Sequence, residues 1–179
     1  MYHIKNDKRT QRSAQIIASA LYEICATKPL REITVSDIHK TCGISRATVY
    51  RLFDSVEDVL QFLCDQAAGK LINALEKKSV FSVSVCLNAM IQLSMENEAL
   101  LEILVRNQRM DTLLLAYGYA FRSFIERIPE FQSEECAIAE YRIAYILALT
   151  SGVLSTWIGR GKKESAEEME FILRQFTLF

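Results

Sequence analysis

Apolar residues recur at three- and four-residue steps from the start of the chain. Ile17, Ala20, Leu21 and Ile24 form one stripe that predicts a first helix from about Lys8 to Thr27. Residues 1 to 7 carry no such stripe and read as a loose arm. Lys28-Pro29 stops the helix, and Leu30 and Ile33 are expected to turn inward. The next stretch, TVSDIHKTCGISRATVYRLF from Thr34 to Phe53, reads as two short helices joined by a tight turn at Cys42-Gly43-Ile44. Thr34 can cap the first by bonding the free amides of its opening turn, with Asp37 reaching back. Gly43 stands where the chain must become left-handed, and Ser45 is placed to cap the second helix. Val35 and Ile38 give the first helix its apolar side, and Val49, Leu52 and Phe53 do so for the second. Arg46, Ala47 and Thr48 are left facing outward, with Tyr50 and Arg51 at the rim. That is a helix-turn-helix layout, in which one helix braces and the other lies in a major groove.

The remainder is also helical in period. Asp54-Ser55 interrupts the pattern, and a stripe from Val59 to Leu75 carries a long fourth helix to about Lys77. VFSVSV alternates like a strand, but an isolated strand would have no partner, so helix is expected there. Asn97 marks a break before a short helix over Glu98 to Val105. Arg109 to Ile128 reads as another helix, ended by Pro129, and Ser133 to Gly159 as one long helix capped at Ser133. Ala144, Ala148, Ser151, Gly152, Ser155 and Gly159 set small side chains along one side of it, where two helices can approach closely. A last helix opens on Ser165-Ala166-Glu167-Glu168, with Met169, Ile172, Leu173 and Phe176 as its stripe. The fold class is all-α, with about nine helices.

Charge changes the picture. The chain of 179 residues is nearly neutral at −1, which by itself argues against a nucleic-acid binder. Residues 1 to 53 nevertheless hold nine Lys/Arg against four Asp/Glu, and the rest hold twelve against eighteen. A basic N-terminal module on an acidic body is the footprint of a protein that meets phosphate with one end. Lys8, Arg9 and Arg12 crowd the start of the first helix, where the helix dipole disfavours cations, and this points to an external anion. Five cysteines at wide spacings read as buried small hydrophobes of a cytoplasmic protein, with no metal or disulfide pattern. His3 and His39 have no ligand-spaced partners. No signal peptide is evident, and the uncharged 17-residue stretches Ser79–Met95 and Ile143–Gly159 read as buried helices, not membrane spans. No nucleophile, base or metal set suggests an enzyme, and no cofactor is implied.

RTQRSAQIIASAL, ITVSDIHKTCGISRATVYRLF and SVEDVL together resemble the DNA-binding domain of the tetracycline-repressor (TetR) family of transcriptional regulators. The resemblance implies a helix-turn-helix DNA-binding domain over residues 1–54 and a helical ligand-binding and dimerisation domain over 55–179. It further implies a homodimer that binds a near-palindromic operator in double-stranded DNA and answers to a small-molecule effector; repression is the expected sign, with activation left open by the sequence. The expected DNA contacts are Arg9, Arg12, Thr34, Ser36, Ser45, Arg46, Ala47, Thr48, Tyr50 and Arg51. The C-terminal segment SGVLSTWIGRGKKESAEEMEFIL resembles the family's dimer helices, with Ala148, Gly152, Ser155, Trp157, Met169, Ile172 and Phe176 at the interface. Met90, Met110, Tyr117, Phe121 and Tyr145 are candidate walls of the effector pocket. Relatives place a phosphate-facing lysine at the start of the fourth helix, where this chain has Val56. That departure leaves open an alternative, an adaptor or co-regulator that keeps the fold but acts through protein contacts.

Overall fold

The computed structural model describes residues 1–4, 7–132 and 136–176, and among these the regular secondary structure is helical apart from one isolated bridge. Nine α-helices follow one another: α1 Lys8–Cys25, α2 Val35–Cys42, α3 Arg46–Leu52, α4 Val56–Glu76, α5 Val83–Glu96, α6 Glu98–Arg106, α7 Met110–Arg122, α8 Cys136–Gly159 and α9 Ala166–Phe176. Short 3-10 turns cover Leu30–Glu32, Ile125–Arg127 and Pro129–Phe131.

The organising element is α4. Its buried residues, Val56, Val59, Leu60, Leu63, Cys64, Ala67, Ala68, Leu71 and Leu75, recur at three- and four-residue steps over 21 residues. At 1.5 Å per residue this stripe runs roughly 32 Å. It packs on α1, α5 and α7. α1 in turn packs on α2, α3 and α6, so the small N-terminal core and the larger one behind it are continuous. Two buried hydroxyls in the larger core are satisfied locally. Ser94 donates to the Met90 carbonyl (2.7 Å) and shares a 2.8 Å bond with Tyr117, and Thr150 donates to the Ile146 carbonyl (2.9 Å).

Several expectations fail for identifiable reasons. The described part of the N-terminal arm is not loose. The Tyr2 ring packs against Phe62 edge-on at 5.6 Å and lies 6.2 Å from Phe53, its hydroxyl donates to Asp65 (2.6 Å), and the His3 amide donates to the Leu52 carbonyl. Helix α5 begins only at Val83, where Ser82 accepts a bond from the Val85 amide, and residues 79–82 form neither strand nor helix. α7 ends at Arg122, six residues short of the expected Ile128. Ser123 returns its hydroxyl to the Ala120 carbonyl (2.6 Å), Phe124 stacks on Phe81, and the Arg127 guanidinium sits 3.9 Å from the Phe81 ring centre. The Ser133 cap falls outside the described residues. Finally, α8 is not a buried helix. Only 22% of its Ala137–Gly159 span is buried in the single chain, although it is long and apolar enough to cross a membrane.

Candidate nucleic-acid interface

The turn between α2 and α3 is specified by its own side chains. Thr34 Oγ1 accepts from the Asp37 amide (3.2 Å) while Asp37 Oδ2 accepts from the Thr34 amide (2.8 Å), closing a reciprocal cap on α2. Lys28 adds a 2.8 Å ion pair to the same oxygen, and these donors hold the Asp37 carboxyl well below its usual range. Gly43 ends α2 at φ +67°, and the His39 ring donates through Nδ1 to the Ile44 carbonyl at 2.7 Å. His39 is thus a buttress of the turn, a role its place in the sequence does not reveal.

α3 then starts on a capped end. Ser45 Oγ accepts from the Thr48 amide (3.3 Å) and donates to Thr48 Oγ1 (3.0 Å), leaving the Thr48 hydroxyl proton for an outside acceptor. Val49 and Leu52 are buried, whereas Ser45, Arg46, Ala47, Tyr50 and Arg51 are exposed and Thr48 is half-buried. The Arg46 guanidinium lies 5.5 Å from the Tyr50 ring centre and donates weakly to its hydroxyl at 3.4 Å. Stacking of this kind restricts a flexible side chain before anything binds.

α1 supplies the flank. Asp7 caps it by accepting from the Thr10 amide at 2.9 Å, a signal present in the sequence but missed by reading the preceding residues as an arm. Arg9 and Arg12 are exposed. A groove of about 650 Å³ between α1 and α3 brings Arg9, Thr48 and Arg51 together with His3, and the His3 ring also reaches Asp54 at 3.1 Å. Arg12 does not line this groove, and Thr34 and Ser36 sit apart from it at the start of α2, exposed and half-buried respectively. Val56 is 6% exposed and belongs to the core, so the start of α4 does not offer residue 56 to a phosphate.

The other expected sites separate into groups. Ala148 and Gly152 are exposed and Ser155 and Ile172 half-buried, while Trp157 and Met169 are interior to the subunit. Trp157 donates to the Glu164 carbonyl (2.9 Å), and the Phe176 side chain lies outside what is described. A groove of about 620 Å³ between α8 and α9 runs past Ala148, Gly152, Trp157, Met169 and Ile172. Met90, Met110, Tyr117 and Phe121 are buried in the core, and Tyr145 is exposed on α8, so the five do not surround one opening. Burial pushes the Cys25 thiol up to about 11 and Cys64 to about 12, which keeps both protonated. Among the described residues no three His, Cys, Asp or Glu side chains converge on a metal position.

No protein-family model matches the chain. It is 32% identical over 68 residues to the HTH-type dhaKLM operon transcriptional activator DhaS of Lactococcus lactis subsp. lactis, a match covering 38% of this chain and 36% of that protein. A crystal structure from Syntrophomonas wolfei assigned to the TetR family of regulators aligns over 93% of each chain, with a TM-score of 0.66 and 22% identity. The transcriptional regulator FadR of Bacillus subtilis, solved with stearoyl-CoA, aligns over 90% of this chain and 94% of its own, with a TM-score of 0.59 and 19% identity. The fold of this chain is therefore that of the TetR-type regulators.

Proposed function

We propose that this chain is a DNA-binding transcriptional regulator of the TetR type, working as a homodimer on a near-palindromic duplex. The observation that carries the reading is α3: a short helix with a satisfied N-cap, its apolar side locked in the core and Ser45, Arg46, Ala47 and Thr48 turned outward. Arg46 suits a guanine edge, to which it can donate two bonds, and Thr48 suits a base acceptor or a thymine methyl. Tyr50, Arg51, Arg9, Arg12 and the open amides at the start of α2, near Thr34 and Ser36, hold phosphates and fix the register. Residues 1–54 would form the DNA-binding unit and 55–179 the regulatory one.

The second copy is proposed to cover α8 and α9. An apolar helix of which only 22% is fully buried, with Tyr141 80% and Phe171 on α9 66% exposed, needs a cover, and two-fold pairing also sets two reading helices against two half-sites. The proposed sign of regulation is repression by occupancy. The Lactococcus relative is named an activator, and a reporter with the operator moved relative to the promoter separates the two outcomes. A small effector bound within residues 55–179 would shift the spacing of the reading helices.

Selection from a random duplex library with the full chain tests this function. The expected result is an enriched palindrome with half-sites about one helical turn apart. Folded dimer that enriches no sequence would favour the adaptor reading instead.

A further inference from the structure

A second polar cavity of about 460 Å³ opens behind the N-terminal helices, at the seam between the Leu30–Glu32 turn, the start of α4 and the α6–α7 connection. Three arginines from two separate pieces of chain line it, Arg31 from the turn and Arg106 and Arg109 from the α6–α7 connection, against one acid, Glu57. Their contacts to neighbouring carboxylates are loose: Arg31 to Glu32 at 3.7 Å, Arg106 to Glu102 at 3.7 Å and Arg109 to Asp111 at 3.6 Å. These lengths exceed those of charge-assisted hydrogen bonds, and although Arg109 also donates to Thr112 Oγ1 at 3.3 Å, each guanidinium fork keeps donor capacity.

The seam is also held in shape. Asn107 Oδ1 accepts from the Leu30 amide (2.9 Å), and its Nδ2 donates to the Ile103 carbonyl (2.8 Å), tying the turn before α2 to the end of α6. Gln108 follows at φ +55°, a left-handed position that residues other than glycine rarely take, and the Arg109 amide then returns to the Leu104 carbonyl at 2.7 Å. This bent connection carries Arg106 and Arg109 to the same opening as Arg31. The Arg31 and Arg106 side chains are largely exposed and Arg109 is about a third exposed, so an anion at this opening could gather their guanidiniums on a fixed backbone.

We infer that this cavity binds a small phosphate-bearing metabolite, with the phosphate on the Arg31, Arg106 and Arg109 guanidiniums. Planar forks match phosphate oxygens two at a time, and Glu57 and the Gln108 amide can meet hydroxyls on the rest of the molecule. An occupant here would bridge the segment that leads into α2 and the end of α6, and so bias how the N-terminal helices sit. Only that consequence rests on the regulator reading; the binding does not.

Calorimetric titration of the full chain with pyrophosphate, at fixed ionic strength, is the test. Saturable binding at one site per chain is expected, weakened at least tenfold in R106Q/R109Q. E57Q, which removes the opposing charge, should bind several-fold tighter, a gain that loss of folding cannot produce. No saturable binding, or equal binding by the wild type and both variants, overturns the inference. So does pyrophosphate that competes with duplex while R106Q/R109Q weakens duplex binding as much as pyrophosphate binding, because the arginines would then be part of a DNA surface. Pyrophosphate binding by a chain that enriches no duplex would overturn the regulator reading and leave the site standing.

Discussion

At the scale of single residues, two arrangements decide what α3 can do. Arg46 rests against the Tyr50 ring, and Thr48 accepts from Ser45 while keeping its own proton. Both side chains are partly ordered before any partner arrives, which lowers the entropy lost on binding. Val56 makes the opposite point. As it packs in the core, Val56→Lys should lower stability by roughly 1 to 3 kcal/mol, the usual cost of a charge forced against apolar neighbours. It should not tighten duplex binding. A melting curve and a duplex titration of the same variant check this, and an unchanged midpoint with tighter binding would show that residue 56 faces outward after all.

At the scale of elements, the caps of α2 and α3 were legible in the sequence because each involves residues three apart. Gly43 was legible for a related reason, since a left-handed residue between two short helices leaves little choice. An added Cβ there meets nothing within 4 Å, so Gly43→Ala should cost only backbone strain, about 1 kcal/mol, and Gly43→Asn less. Chemical denaturation of the two variants measures it. The early end of α7 was not legible. It depends on Phe81, more than forty residues away, stacking on Phe124 and receiving Arg127. The tethered arm was hidden in the same way, because Tyr2 finds Asp65 only after α4 has formed.

The α2 cap also predicts a pH dependence. Asp37 has its carboxyl lowered from an ordinary 3.8, chiefly by the Lys28 bond and then by the Thr34 amide. A depressed carboxylate stabilises the fold fully above its unfolded value and loses that contribution as pH falls through the folded one. The stability gap between wild type and Asp37→Asn should therefore be constant from neutral pH to about pH 4 and close below it. Urea midpoints collected down the acid limb test this, and a gap that stayed constant to pH 2 would remove Asp37 from the account.

At the scale of the whole molecule, the sequence showed the all-helical class and the small-residue side of α8 but not how little of α8 one chain buries. An uncharged run reads the same whether its cover comes from the same chain or from a copy. Gly152 separates the two cases. It lines the α8–α9 groove, and a Cβ built there meets no atom within 4 Å in the single chain. Gly152→Leu should therefore leave the subunit folded and weaken the proposed dimer by about 1 to 3 kcal/mol, the cost of an overpacked contact. Sedimentation at micromolar concentration, alongside circular dichroism, reads both quantities, and a wild type that sediments as a monomer would leave α8 needing another cover.

The central claim is that α3 and its flanking cations read duplex DNA, and its most direct measurement is duplex affinity against salt for wild type and Arg46→Ala. The wild type should bind the selected site with log K falling steeply and linearly in log salt, the mark of released counterions. Arg46→Ala should lose about 1 to 3 kcal/mol on that site, with much less change on unrelated duplex, if the arginine reads a base. Equal losses on every sequence would reduce Arg46 to a phosphate contact. A wild type with no salt dependence and no preference among duplexes would contradict the claim itself.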